Sequence, residues 1–225
     1  MDDLVLQNIY VYPIKSLGGI ELQQAEVEQT GLQYDRRWML TDEKGNFLTQ
    51  RKFAQMALLQ TSIVKEGLVV SHKQQKLPPL TIPLNTTAGK EITVNIWDDT
   101  CTALEVSMEA NRWFSDALKM PVKMVYMSDT TRRRVDNNYA MNNEIVSFAD
   151  AYPLMIIGQS SLDELNSRLE TPVLMNRFRP NLVFTGGVPF YEDSFDLFKI
   201  GNVSFKAVKP CYRCILTTIN QEDGT

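Results

Sequence analysis

Cys211-Tyr212-Arg213-Cys214 is the segment most able to do chemistry, because two thiols flank an arginine whose charge favours the thiolate, the form that attacks electrophiles and binds metals. Several readings stay open at this point. A redox dithiol of the thioredoxin kind requires a helix N-terminus, whereas the β-branched run Ile215 to Ile219 predicts a strand. A structural zinc site needs four ligands, and Cys101 and His72, the remaining candidates, sit at no recognisable ligand spacing. The plainest alternative is a pair of small hydrophobes in a strand.

A second group of residues suits an anion. Lys15-Ser16, rimmed by Gly18 and Gly19, brings an ammonium, a hydroxyl and approachable backbone N–H groups together, but it lacks the spacing of a nucleotide-binding P-loop. Asp35-Arg36-Arg37-Trp38 offers a planar guanidinium with an acidic neighbour to orient it. Asn176-Arg177-Phe178-Arg179-Pro180-Asn181 combines guanidinium and carboxamide groups, a set matched to a flat heterocycle rich in donors and acceptors. Arg132-Arg133-Arg134 reads as a solvated face or a partner-docking surface, with direct cofactor contact as the lesser alternative. His72 reads as inert, and Asp98-Asp99 as a strand-ending turn.

The elements that must hold these groups are mostly strands. Leu4 to Tyr12 is rich in Val, Ile, Leu and Tyr and stops at Pro13, which cannot donate to a ladder. Ile20 to Val27 alternates, and Arg37 to Thr41 runs through the turn Asp42 to Asn46 into Phe47-Leu48-Thr49 as a hairpin. Leu58 to Val64, Leu68 to Ser71, Pro78 to Pro83 and Glu91 to Trp97 extend an all-β first half of barrel or sandwich type. A helix capped by Ser107 closes that half, and Val122 to Met127 is a further strand. Ser128 to Asn143 is a long loop; a second helix is predicted to start at Ser161 with Glu164 completing a capping box. Asn181 to Thr185, Phe195 to Ile200, Val203 to Val208 and Arg213 to Ile219 are read as strands. The expected fold is therefore mostly β with a few helices (α+β), a barrel-like domain over 1–125 packed on a second β-barrel domain over 126–225.

Composition limits the partners. The chain has 225 residues, 44% hydrophobic, with a net charge of −4 that supplies no global field for nucleic acid, so an anion site must be a local cationic cluster. The start Met1-Asp2-Asp3 is acidic where a secretory signal is basic, and no apolar run approaches the roughly 20 residues a spanning helix needs. Three cysteines, an odd and small number, suit a reducing compartment. A cytoplasmic location without membrane contact is expected.

Five segments in order give the sequence a family likeness: Val11-Tyr12-Pro13-Ile14-Lys15-Ser16, Tyr34-Asp35-Arg36-Arg37-Trp38, Ser161-Leu162-Asp163-Glu164-Leu165-Asn166, Phe178-Arg179-Pro180-Asn181 and Cys211-Tyr212-Arg213-Cys214-Ile215-Leu216-Thr217-Thr218. Over nearly its whole length the chain resembles the MOSC superfamily, in the branch that pairs an N-terminal MOSC β-barrel with a MOSC domain and includes the amidoxime-reducing components and bacterial reductases of N-hydroxylated bases. The resemblance implies a molybdenum–molybdopterin cofactor, with Cys214 as the protein's ligand to the metal and Cys211 beside it. It implies that Lys15, Ser16 and Arg36 grip the cofactor's phosphate and that Arg179 and Asn181 contact the pterin. Asp193 matches an acidic position near the metal, fit to relay a proton. The implied reaction reduces N–OH to N–H with loss of water, the cofactor carrying the chemistry and the protein orienting it. Three cysteines cannot furnish the four of a plant-type iron–sulfur cluster, so electrons are expected from a separate flavin or iron–sulfur reductase. The same superfamily implies a rival, carriage of sulfur or of the cofactor on Cys214. Relatives continue past the cysteine motif with further strands, so the second domain is expected to be incomplete at Thr225.

Overall fold

A computed structural model describes residues 3–85 and 89–225, so Met1 and Asp2 of the acidic start lie outside the described residues. The strands of the first half are β1 (Val5–Val11), β2 (Ile20–Leu22), β3 (Val27–Glu28), β4 (Gly31–Leu32), β5 (Trp38–Thr41), β6 (Leu59–Val64), β7 (Gly67–His72), β8 (Leu80–Ile82), β9 (Glu91–Ile96) and β10 (Asp99–Glu105). Helix α1 (Met108–Leu118) and β11 (Lys123–Tyr126) follow. The rest comprises β12 (Ile156–Gly158), α2 (Gln159–Ser167), β13 (Leu182–Thr185), β14 (Leu197–Ile200) and β15 (Val203–Lys206). The protein is mostly β, as its alternating segments predict.

Two four-stranded sheets do most of the positioning. One runs β5-β11-β10-β9; its strand β5 is buried along its length, with Trp38 and Leu40 entering the core shared with Ile14, Leu17, Leu59 and Phe114 while Met39 enters a second core with Val94, Val125 and Phe148. Alternation along one strand thereby joins two cores. The other sheet runs β12-β13-β1-β2 and draws on both halves of the chain, since β1 pairs antiparallel with β13. That pairing brings the loop after β1, with Lys15 and Ser16, beside the segment that leads into β13, with Arg179 and Asn181.

Helix α1 forms as its pattern dictates. Ser107 caps it through an accepted bond from the Ala110 N–H, and Ala110, Phe114, Ala117 and Leu118 make one buried face. The second helix differs from expectation. It starts two residues earlier, with Gly158 at the cap, so Ser161 lies inside the first turn and its hydroxyl donates to Glu192 and accepts from the Phe190 N–H. Glu192 also accepts from the Gly158 N–H, so a distant carboxylate, not a local capping box, satisfies this terminus. Arg213 to Ile219 is no strand either; Ile215–Thr218 forms a 3₁₀ turn in which Thr217 and Thr218 donate their hydroxyls to the carbonyls of Cys214 and Ile215, three residues back. Strands β10 and β12 escape the sequence reading, and Ile20 to Val27 splits between β2 and β3.

Candidate functional site

Lys15 is placed by its neighbours. Ile14 and Leu17 are fully buried, and the Lys15 N–H donates to the Trp38 carbonyl, which leaves the side chain inside the protein at the junction of the two sheets. Its Nζ donates to the Phe148 carbonyl at 2.7 Å and to Asp150 Oδ1 at 2.5 Å. Burial pulls the Lys15 pKa down to about 8, against the opposing charge of Asp150. Burial also acts on Asp150, upward, but Lys15 and Arg51 together hold its carboxyl well below the usual carboxylate range.

Arg51 extends this network to the cysteine motif. Its Nη2 donates to Asp150 Oδ2 at 2.8 Å and its Nε to Cys214 Sγ at 3.2 Å. Burial alone raises the Cys214 thiol, yet the Leu216 N–H and the Arg51 guanidinium outweigh it and hold the thiol below its ordinary value. The sulfur faces outward among these donors, not into an apolar core. Arg213 turns elsewhere: Nη1 lies 3.1 Å from Cys211 Sγ and 2.8 Å from Met155 Sδ, and Nη2 donates to the Phe178 carbonyl at 2.6 Å. It ties the cysteine loop to the residue preceding Arg179.

A second cluster surrounds Tyr12. Asp35 accepts from the Tyr12 N–H at 2.8 Å and from Arg36 Nη1 at 2.6 Å. Arg36 also donates to Asn181 Oδ1 and to the Arg179 carbonyl, while Asn181 donates to the Tyr10 carbonyl and accepts from the Met155 N–H. Both guanidinium carbons lie over the Tyr12 ring, Arg36 at 4.3 Å and Arg179 at 4.2 Å. Arg179 is buried, its Nη2 makes no hydrogen bond among the described residues, and burial lowers its pKa to about 10. Ser16, Arg36 and Arg179 all take positive φ, at 67°, 50° and 56°, a conformation that non-glycine residues rarely hold and that concentrates at ligand sites. A cavity of about 100 Å³ lies beside this cluster, lined in part by Tyr12, Gly18, Gly19, Asn176 and Arg179.

The structure thus joins Lys15 and Cys214 through Asp150 and Arg51, and gathers Arg36, Arg179 and Asn181 around Tyr12; Cys211 is reached by Arg213, and Ser16, next to Lys15, is held through its carbonyl by Gln50. Asp193 stands apart: it is exposed on a 3₁₀ turn, Tyr191–Ser194, and shares no ion pair with these groups among the described residues. Three neighbours in these networks escape the sequence reading, and a fourth, Arg133, reads there in another role. Arg51 and Asp150 carry the link from Lys15 to Cys214, Trp97 donates its indole N–H to Asp150 Oδ1 at 3.1 Å, and Arg133 positions the 147–150 segment. The expectation of a solvated arginine face is corrected for Arg133, whose side chain is buried and bonded to Asp99 and to the carbonyls of Ser147, Ala149 and Asp150. Arg132 and Arg134 are exposed. His72 caps a turn, accepting at Nδ1 from the N–H groups of Gln74 and Gln75.

Among the described residues no three His, Cys, Asp or Glu side chains come together as a metal cage, so a metal on Cys214 must draw its other ligands from a bound molecule or solvent. Among those residues, too, no helix is long and apolar enough to cross a membrane.

Comparison with known proteins identifies the family of both halves of the chain. Residues 4–121 match the model of the MOSC N-terminal beta barrel domain, and residues 143–225 that of the MOSC domain. The chain is 31% identical to mitochondrial amidoxime-reducing component 1 of Mus musculus over 230 residues, covering 96% of this chain and 66% of that protein. It is 30% identical to mitochondrial amidoxime reducing component 2 of Bos taurus, covering 97% and 67%. A molybdenum cofactor sulfurase of Oryza sativa subsp. japonica is 28% identical over all of this chain, which spans 29% of it. The chain therefore spans about two thirds of the amidoxime-reducing relatives.

Proposed function

The chain belongs to the MOSC family, and from that premise we propose that it is a molybdenum-cofactor-dependent reductase of N-hydroxylated compounds in which the Cys214 thiolate binds the metal. One observation carries the reading: the Cys214 sulfur is exposed, accepts from Arg51, and is joined through Asp150 to the buried cation Lys15. A soft thiolate beside hard cations matches a ligand that is a metal at one end and an anion at the other.

The residues present fit such a cofactor. The unpartnered N–H of Arg179 and the positive φ of Ser16, Arg36 and Arg179 are the marks of a cradle built for a polar ligand. In the proposal Lys15, Ser16 and Arg36 hold the phosphate, Arg179 and Asn181 the pterin, and Cys211 stands beside the metal ligand. When bound, the cofactor supplies two-electron redox chemistry at a metal with a position open to substrate oxygen. The net change takes up two electrons and two protons, converting N–OH to N–H and releasing water. Asp150, kept ionised by two cations, orients groups and donates no proton; the proposal of a proton relay at Asp193 rests on the resemblance alone, since that residue stands apart on its exposed turn, and Asp193→Asn should lower kcat if it holds. Electrons come from a separate flavin or iron–sulfur reductase, and the substrate is a small N-hydroxylated molecule. A boundary near residue 125 and a cytoplasmic location belong to the same proposal.

A second reading, carriage of sulfur or cofactor on Cys214, draws on the likeness to the plant sulfurase. Metal analysis and turnover separate the two. Purified from a host that makes the cofactor, the protein should carry about one molybdenum per chain and turn over an amidoxime with a chemical reductant, and Cys214→Ser should lose both. Persulfide on Cys214 with no bound molybdenum would instead establish carriage.

A further inference from the structure

The geometry points to Trp97 as the residue that selects planar, π-bearing N-hydroxylated substrates at the Cys214 site. This assignment rests on the reductase reading. Ile96 pairs with Asp99, so Trp97 and Asp98 form the two-residue loop of the β9–β10 hairpin. The first loop position takes positive φ, 54° at Trp97, where glycine, asparagine or aspartate is ordinarily found. A bulky aromatic in that conformation persists only where the surroundings fix it. Here they do: Trp97 Nε1 donates to Asp150, the Arg51 guanidinium lies 4.8 Å from the indole, and Phe47 packs at 5.0 Å with its ring tilted by 59°. Phe47 comes from the neighbouring hairpin, held against β9 by its N–H bond to the Asn95 carbonyl.

Trp97 is nonetheless 48% exposed. A fixed, half-exposed aromatic residue thus carries the Arg51 guanidinium over its ring, and Arg51 itself touches the Cys214 sulfur. Held by Asp150, Arg51 and Phe47, this ring offers a stacking surface for the flat body of a substrate whose N–OH group points toward the sulfur. Aryl amidoximes and hydroxylated heterocycles have such a body; short alkyl amidoximes do not. Stacking on a rigid indole lowers the KM of the first class without touching the chemical step.

The test compares benzamidoxime with acetamidoxime in the cofactor-loaded protein, alongside calorimetric binding of benzamidoxime to the cofactor-free chain. Trp97→Leu should raise KM for benzamidoxime by about three- to tenfold, the worth of one aromatic stack, and weaken its binding equally. The decisive reading is the ratio: kcat/KM for benzamidoxime should fall about three- to tenfold further than kcat/KM for acetamidoxime. Trp97→Phe keeps a ring but loses the bond to Asp150, and should retain the aryl preference. Equal changes for both substrates, no change for either, or a phenylalanine variant that behaves like leucine would overturn the assignment while leaving the reductase reading standing. Absence of molybdenum-dependent turnover of both amidoximes by the wild-type protein would sink both.

Discussion

Three consecutive arginines provide the sharpest test of how the site is held. Arg133→Met keeps most of the side-chain volume and removes every N–H. Lost with them are bonds to the carbonyls of Ser147 at 2.9 Å, Ala149 at 2.5 Å and Asp150 at 2.9 Å. Ser147 and Ala149 are buried, so water cannot replace the guanidinium there without opening the segment. The half-exposed Asp99 is assigned no energy, being screened by solvent. Leaving these carbonyls without their donor, at about 1–3 kcal/mol for each buried group, costs about 3–5 kcal/mol in all. That is a large share of the roughly 5–15 kcal/mol that holds a domain together. At about 2–4 °C per kcal/mol for a chain of this size, Tm should fall by about 6–20 °C. Urea unfolding should show a lower midpoint at unchanged slope. Arg132→Met and Arg134→Met, on exposed side chains, should stay within about 0.5 kcal/mol of wild type. A loss at Arg133 no greater than at its two neighbours would refute the clamp and, with it, the account of how Asp150 is presented to Lys15 and Arg51.

Lys15 gives a pH signature: with its folded pKa at about 8 against 10.5, the unfolded chain holds the extra proton between those values, so this group makes stability rise with pH across that window. Lys15→Met should remove that rise in urea midpoints, and identical slopes in both proteins would count against it. Tyr12→Phe should cost about 1 kcal/mol by stranding the Pro180 carbonyl, and Tyr12→Leu about 2–4 kcal/mol by also removing the ring beneath two guanidiniums; thermal melts rank the pair. Ser161→Ala should cost about 1–3 kcal/mol and speed hydrogen exchange at Phe190, whose N–H loses its acceptor.

Strands that bury one face were legible because burial writes an alternating pattern into them, as in β6 and β9. Strand β10 was not: of its seven residues only Ala103 is buried, so Asp-Thr-Cys-Thr carries no apolar period and the segment is a strand only because β9 and β11 pair with it. Strand β12 has three residues and earns its place by parallel pairing with β13, a tertiary fact. Arg213 to Ile219 shows the opposite error. Its β-branched composition favours a strand, but threonines whose hydroxyls reach back three residues stabilise the tight turn instead.

The cations of the site were legible for a local reason: Lys15, Arg36 and Arg179 each sit in a loop that follows or leads into a strand, and Asn181 immediately precedes one. Their conformations were not, since nothing in Ser16, Arg36 or Arg179 announces positive φ; the surrounding bonds impose it. The same distinction governs the thiolate. From the sequence, Arg213 is the obvious partner because it lies between the two cysteines. In the fold its guanidinium is committed to Cys211, Met155 and Phe178, and the direct donor to Cys214 is Arg51, 163 residues away. Adjacency in sequence places two side chains near each other but leaves their directions free, and a hydrogen bond depends on direction. Part of what tunes the sulfur therefore comes from the N-terminal barrel, through Arg51, which Asp150 of the MOSC domain fixes, while the Leu216 N–H is local to the cysteine loop. A MOSC domain cut away from that barrel would keep Cys214 and Arg213 and lose Arg51, so its thiol should return toward its ordinary value even if the cysteine loop refolded intact.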